Sequence, residues 1–228
     1  MPIEKMNKSW DSTWEQVFRA RDWARYPQEE LIRFVAINFY SAAERKKIKI
    51  LDAGCGTGAG VWFIARERFD AFGIDGSETG IMKCKTFLAK EGLKASLQVG
   101  DCISLSDYYP PAAFDAVAFV GVLYHNKIQA ARTMLDEAFT VLKPGGKIFA
   151  TAIATGSYGD GMGTLVEERT FINIPEGALS GVGLIHFFTL EEVRQLFAGY
   201  ADVKIGHLIR SRDNLAYYKH WIIEAVKP

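Results

Sequence analysis

The sequence has few cysteines and no apolar segment at its start. Its 228 residues contain 3 cysteines (Cys55, Cys84 and Cys102), and no two of them form a Cys-x-x-Cys pair. A disulfide framework and a structural zinc site are therefore not expected, and no other metal-ligand set is recognisable. The cysteine usage favours a reducing, cytoplasmic compartment. Residues 1–5 lack the apolar core of a signal peptide.

The sequence also lacks an excess of either charge. It contains 27 Lys and Arg residues against 27 Asp and Glu residues, so its formal net charge is zero. This balance argues against nucleic acid as the main partner, because phosphate binding draws on excess Lys and Arg. No run approaches 18 apolar residues, so no membrane span is expected. We therefore expect a small-molecule substrate and a monomer or homodimer.

The chain is predicted to be one α/β domain with a helical cap. Residues 1–46 form the cap in this interpretation, with one helix over residues 11–21 and a second opening at Pro27, which acidic residues follow. Over residues 47–228, short apolar strands alternate with helical segments. Such alternation predicts a parallel sheet with right-handed crossovers.

The end of the chain breaks this alternation. Strands beginning near Val203 and His220 lie close together in sequence, which predicts an antiparallel pair at one edge of the sheet. Residues 155–188 form a long Gly-rich connection before the last helix. Connections of this length in a compact domain are usually functional, so we expect a lid insertion there.

A glycine-rich turn follows the first strand, in the stretch Asp52-Ala-Gly-Cys-Gly-Thr-Gly58. Glycines let a ligand approach the backbone, and the following helix N-terminus offers free N–H groups. Gly54, Gly56 and Ala59 also fit the dinucleotide fingerprint. However, the third glycine is Gly58, and the carboxylate of Asp52 repels a pyrophosphate but attracts an ammonium group. The turn thus favours a ligand with an ammonium group, and a nicotinamide oxidoreductase is the less favoured alternative.

Residues 48–147 resemble the class I S-adenosylmethionine-dependent methyltransferases of the small-molecule type (type 11/25-like), which carry an Asp-x-Gly-x-Gly-x-Gly motif. The resemblance implies a Rossmann-like, mostly parallel sheet of seven strands with an antiparallel final strand between strands five and six. It implies S-adenosyl-L-methionine as the cofactor, S-adenosyl-L-homocysteine as the product, Asp75 at the ribose and Asp101 at the adenine amino group. The residues expected to bind the cofactor are Asp52, Gly54, Cys55, Gly56, Gly58, Asp75, Gly76, Ser77, Asp101, Cys102, Val120 and Gly121.

Two histidines are candidates for a general base. His125 follows the fourth strand, in a turn similar to the Val-Leu-His-His turn of the group with Tyr124 replacing the first His. In this fold that turn faces the methyl group, so His125 is interpreted either as a base or as packing of the turn. His186, at the end of the predicted lid, has the same two interpretations.

The residues expected to contact the acceptor are Trp14, Arg21, Trp23, Tyr26 and Tyr124. Most of them belong to an N-terminal stretch where aromatic residues alternate with arginines. One interpretation is an aromatic and cationic cover over an anionic or sugar-like acceptor. The other is an amphipathic helix pair whose arginines lie in water.

We therefore expect methyl transfer to a small polar metabolite, at oxygen. A macromolecular acceptor is the first alternative, disfavoured by the zero net charge and by the absence of an Asn-Pro-Pro-Tyr motif after the fourth strand. The second alternative is a protein that binds S-adenosylmethionine or S-adenosylhomocysteine without turnover.

Overall fold

The computed structural model describes residues 10–21, 23, 25–212 and 216–228. The strands of this part of the chain are β1 (Lys49–Ala53), β2 (Asp70–Asp75), β3 (Ser96–Val99), β4 (Phe114–Phe119), β5 (Leu142–Ile153), β6 (Thr164–Glu167), β7 (Thr170–Ile172), β8 (Ile185–His186), β9 (Ala201–Arg212) and β10 (Ala216–Val226). Its α-helices are α1 (Thr13–Ala20), α2 (Glu29–Phe39), α3 (Ala59–Arg66), α4 (Glu78–Lys90), α5 (Ile128–Val141) and α6 (Leu190–Leu196).

The main sheet has seven strands in the order β3-β2-β1-β4-β5-β10-β9. The first five strands of this order are parallel, whereas β10 runs antiparallel to both β5 and β9. The predicted sheet, with an antiparallel last strand between the fifth and sixth, is therefore confirmed. Because the first five strands are parallel, their carboxyl ends meet at one edge, where ligands bind in folds of this kind.

Helices cover both faces of the sheet. In β4, Ala116 and Ala118 face the cluster that contains α2, α3 and α4, whereas Val117 and Phe119 face the cluster with α5 and α6. Side chains alternate between the two faces of a strand, so a strand buried on both sides is a continuous apolar run. Removing a ring such as that of Phe119, which is fully buried, costs about 3–5 kcal/mol.

The predicted cap divides into two parts. Helix α2 packs on the sheet through Leu31, Phe34 and Val35, so it belongs to the helical layer. Helix α1 and residues 10–12 instead lie over the carboxyl ends of the strands, as described below. The first nine residues of the predicted cap lie outside the described residues.

The predicted lid is an ordered second layer. It contains a three-stranded sheet in the order β6-β7-β8 and a small apolar core that includes Ile174, Val182 and Ile185. Trp14 of the cap and Tyr124 pack against this core. The segment therefore packs against both the cap and the turn after β4.

Among the helices of the described residues, none has the length and apolar composition that a membrane span requires.

Candidate active site

A cavity of about 260 Å³ lies at the carboxyl ends of the parallel strands, beneath α1 and the loop that follows it. All of the residues predicted to bind the cofactor line this cavity, except Gly58 and Ser77. All of those predicted to contact the acceptor line it as well, except Arg21. None of its described lining residues comes from the predicted lid. The cavity is thus formed by the sheet edge and the cap.

The glycine turn between β1 and α3 requires glycine for conformation and for space. Gly54, Gly56 and Gly58 have φ values of 78°, 52° and 96°, in the left-handed region that side chains disfavour. A Cβ atom on Gly58 would lie 2.3 Å from the sulfur of Cys84 on α4. Gly58 therefore lets α3 begin close to α4, which explains its presence in the motif although it does not line the cavity.

Asp75, the last residue of β2, contacts both the glycine turn and the start of α4. Its carboxylate accepts a hydrogen bond from the N–H of Gly56 and another from the N–H of Ser77, each at 2.8 Å. Burial raises the pKa of Asp75 to about 6 although these two donors favour its ionised form. The carboxylate thus ties the glycine turn to the start of α4, and each oxygen retains a lone pair for a ligand.

Asp52, in β1, is the second buried acid of the cavity and is 4% exposed. Its carboxylate lies against the Cα of Gly60, because a Cβ atom there would be 2.3 Å from Oδ2. Burial, with a contribution from the charge of Asp75, raises the pKa of Asp52 to about 7. A hydrogen bond from the Val61 N–H opposes this rise. A cationic ligand group beside Asp52 would restore its ordinary ionisation.

The start of the cap covers the ends of β2 and β3. The backbone N–H of Trp10 donates to Asp101 Oδ2 at 3.1 Å. The indole ring of Trp10 packs on Gly76, where an added Cβ atom would lie 2.3 Å from the ring. Trp10 belongs to the N-terminal aromatic stretch that was considered from the sequence as a cover, but nothing local to it indicates an approach to Asp101, which lies 91 positions away.

Glu15 holds α1 against the first turn of α4. Its carboxylate accepts hydrogen bonds from the hydroxyls of Ser77 and Thr79 and from the N–H of Thr79. Although burial opposes ionisation, these bonds lower the pKa of Glu15 to about 2. Ser77 is thus a contact of the cap, and its hydroxyl also accepts from the Gly80 N–H to cap α4. Glu15 was not among the predicted site residues.

The cationic part of the cover considered from the sequence does not line the cavity, because Arg19, Arg21 and Arg25 are exposed. Arg19 pairs with Glu15 at 2.9 Å, and Arg25 pairs with Glu91 at 3.3 Å. Arg21 is exposed and lies over the ring of Trp23, 4.7 Å from its centroid. Arg21 is thus placed outside the cavity lining, and its contact with the acceptor stays a prediction.

His125 lines the cavity in the turn after β4. Its ring lies 4.6 Å from that of Trp14 and 4.5 Å from that of Tyr124, between ring centroids. Its Nδ1 lies 3.2 Å from the carbonyl oxygen of Leu184, so Nδ1 carries the proton and Nε2 the lone pair. Burial lowers the pKa of His125 to about 4, and the imidazole is therefore neutral at pH 7.

His186, the second candidate base, does not line the cavity. It is 1% exposed and its Nδ1 lies 2.6 Å from the hydroxyl of Thr170 in the neighbouring strand. Its Nε2 lies 3.6 Å from Glu192, and its ring packs edge-on against Phe188. These contacts join the small sheet to α6, so the packing interpretation is the one that the structure supports.

Known proteins resemble this chain in both sequence and fold. A family model described as a methyltransferase domain matches residues 50–146. The tRNA N(3)-cytidine methyltransferase of Mus musculus is 25% identical over 92% of this chain and 75% of its own length. The ubiquinone biosynthesis O-methyltransferase of Idiomarina loihiensis is 26% identical over 57% of this chain, which spans 52% of that protein.

Among solved structures, the magnesium protoporphyrin IX methyltransferase of Synechocystis PCC 6803 with bound S-adenosylhomocysteine superposes with a TM-score of 0.61. It is 16% identical, and the match covers 95% of this chain and 84% of that one. The chain is a class I S-adenosylmethionine-dependent methyltransferase. This methyltransferase takes its methyl group from S-adenosylmethionine, as the sequence motif implied.

The cavity of the methyltransferase fits that cofactor. S-adenosylmethionine carries positive charge on its ammonium and sulfonium groups, and the described cavity lining contains Asp11, Asp52, Asp75 and Asp101 but neither Lys nor Arg. A pyrophosphate-containing dinucleotide would meet these carboxylates without a compensating cation. The charge of the cavity therefore agrees with the cofactor of the family and disagrees with a nicotinamide dinucleotide.

Proposed function

We propose that this methyltransferase transfers the methyl group to a small molecule held between the cap and the turn after β4. The observation that carries the proposal is the cavity itself, whose lining combines the strand ends with the side chains of Trp14, Trp23 and Tyr124. The cap that lines one side of the cavity is bound to the sheet domain through Glu15 and Trp10. A small acceptor can enter such a cavity whole, whereas a macromolecule would have to extrude the accepting group into it.

We assign the cofactor to the acids at the strand ends. In this assignment Asp52 balances the ammonium group, Asp75 accepts from the ribose hydroxyls and Asp101 lies at the adenine. When bound, S-adenosylmethionine supplies an electrophilic methyl group on a sulfonium. The protein contributes by positioning the two reactants and excluding water. In model systems, close and aligned approach lowers the activation barrier by about 7–11 kcal/mol. The aromatic side chains of the cap and Tyr124 exclude the water.

An oxygen acceptor is the candidate taken from the sequence, and the position of His125 supports it. The neutral imidazole lines the cavity with Nε2 unprotonated, so it can accept a proton from a hydroxyl group. The relative that acts in ubiquinone biosynthesis is an O-methyltransferase. Against this candidate, burial leaves His125 a weak base, and general-base catalysis is most efficient when the pKa of the base lies near the working pH.

The acceptor class is tested by following the methyl label. The protein is incubated with methyl-labelled S-adenosylmethionine and, in separate reactions, with a metabolite extract, total tRNA and denatured cellular protein. We expect label in the metabolite fraction only. The Asp75→Ala variant should transfer none, whereas Asp107→Asn, an exposed acid outside the cavity, should behave as the wild type. Label in tRNA, the substrate class of the mouse relative, would refute a small-molecule acceptor.

A further inference from the structure

The charge of the cavity restricts the acceptor beyond the proposed function, on which this inference rests. Among the described residues that line the cavity, four are aspartates and none is Lys or Arg. The nearby cationic side chains of the cap, Arg19, Arg21 and Arg25, lie at its surface. Three of these aspartates are assigned above to the cofactor, so Asp11 is the charge that remains for the acceptor. An acceptor carrying a carboxylate or phosphate would lose hydration without gaining a cationic side chain from the described lining, which is costly.

Asp11 is the acid that lies beside the candidate reaction centre. Its Oδ1 accepts from the Thr13 N–H at 2.9 Å, and its Oδ2 accepts from the Leu184 N–H at 3.3 Å. The carbonyl of the same Leu184 lies 3.2 Å from Nδ1 of His125. Asp11 and His125 thus contact the N–H and the carbonyl oxygen of the same residue, Leu184. Asp11 therefore places a carboxylate near His125 in the cavity lining.

Aromatic rings surround the same place. Trp14 packs edge-on against Trp23, with centroids 5.2 Å apart, and also contacts His125 at 4.6 Å. The faces of aromatic rings attract a desolvated cation through the ring quadrupole. A carboxylate combined with aromatic rings is a surface that favours an alkylammonium group over an anion.

The available bases also favour one kind of accepting atom. A hydroxyl must lose its proton during transfer, and His125, whose pKa burial lowers to about 4, accepts that proton poorly. An alkylamine is protonated in water near pH 7 and must first release that proton to solvent, but the neutral nitrogen then needs no base during the transfer step. Its lone pair forms the N–C bond while the C–S bond breaks, the C–S electron pair passes to sulfur, and the positive charge moves from sulfur to nitrogen.

We propose that the acceptor of this methyltransferase is an amine, which attacks as the neutral base and is held, as the alkylammonium product, between Asp11 and the rings of Trp14 and Trp23. Asp11 then stabilises the charge that develops on nitrogen during transfer. The oxygen atom expected from the sequence is the competing outcome in the test.

The test measures binding and does not require the natural acceptor. The protein saturated with S-adenosylhomocysteine is titrated by calorimetry with choline, with its uncharged carbon isostere 3,3-dimethyl-1-butanol, and with 3-hydroxypropanoate. We expect choline to bind at least tenfold more tightly than the isostere, and 3-hydroxypropanoate to bind more weakly than either. Asp11→Asn should reduce the preference for choline to less than threefold, while Asp107→Asn should keep it.

Equal affinity for choline and its isostere would overturn the inference, as would tighter binding of 3-hydroxypropanoate or no binding of choline at 10 mM. The wild-type comparison alone decides this, so the inference remains testable if Asp11→Asn does not fold. The first titration, with S-adenosylhomocysteine, separates the two proposals. If S-adenosylhomocysteine does not bind, the proposed function fails; if it binds and choline does not, only the amine acceptor fails.

Discussion

The substitution Asp52→Asn should stabilise the unliganded protein and weaken its binding of S-adenosylmethionine. The carboxyl group of Asp52 is 4% exposed, and burial raises its pKa from 3.8 to about 7. Because the folded state holds this proton more tightly than the unfolded state does, ionisation of Asp52 destabilises the fold. The destabilisation is absent below the unfolded pKa, grows as the pH rises and is complete above pH 7.

The size of the effect follows from the change in pKa. A rise from 3.8 to about 7 corresponds to about 4 kcal/mol, at about 1.4 kcal/mol for each pH unit. Asparagine has no proton to lose, and its side-chain oxygen can still accept from the Val61 N–H. We therefore expect the free energy of unfolding of Asp52→Asn to exceed that of the wild type by about 2–4 kcal/mol at pH 8, with a smaller difference at pH 5.

Urea denaturation of the two proteins at pH 5 and pH 8 measures this difference directly. Asp107→Asn serves as the exposed control and should match the wild type at both pH values. Calorimetry of the same proteins with S-adenosylmethionine should show at least tenfold weaker binding by Asp52→Asn, because the ammonium group loses its counter-charge. If Asp52→Asn were less stable than the wild type at pH 8, or if the difference did not change with pH, the conclusion that ionisation of Asp52 destabilises the fold would be refuted.

The remaining predictions concern the turn, the cap and the histidine. Asp75→Ala should weaken S-adenosylhomocysteine binding tenfold or more, since charge-assisted hydrogen bonds are lost, and unchanged affinity by calorimetry would refute the ribose assignment. Glu15→Gln should speed amide hydrogen exchange over α1 and lower the free energy of unfolding by about 1–3 kcal/mol, whereas the exposed Gln16→Glu should not; equal exchange in both would show that Glu15 does not anchor the cap. Gly58→Ala should lower the free energy of unfolding by at least about 1–3 kcal/mol, and a wild-type denaturation midpoint would contradict the left-handed turn. The ring of His125 should remain neutral from pH 8 down to pH 5 in an NMR titration, and protonation near pH 6.5 would contradict its burial.

The sheet and its acids could be predicted because their signals are local. Apolar strands buried on both faces are continuous runs, and an acid that ends such a strand lies at the edge where ligands bind. This reasoning predicted the positions of Asp52, Asp75 and Asp101. The glycine spacing is equally local, because left-handed conformations at Gly54, Gly56 and Gly58 belong to the turn itself.

The cap could not be predicted in the same detail, because its contacts join distant parts of the chain. Glu15 meets Ser77 across 62 positions, and Trp10 meets Asp101 across 91. The amphipathic pattern of α1 does not reveal which partner each polar side chain meets. The pattern around α1 therefore did not predict whether Arg21 faces the cavity or the solvent. The sequence of the Gly-rich segment likewise did not predict that His186 contacts Thr170.

A calorimetric titration with S-adenosylhomocysteine and, separately, with NAD tests the central claim most directly. The carboxylate-lined cavity at the strand ends predicts saturable, one-to-one binding of S-adenosylhomocysteine that Asp75→Ala weakens, and no measurable binding of NAD. Saturable binding of NAD, with no heat from S-adenosylhomocysteine, would contradict the assignment of this cavity to the methyl donor.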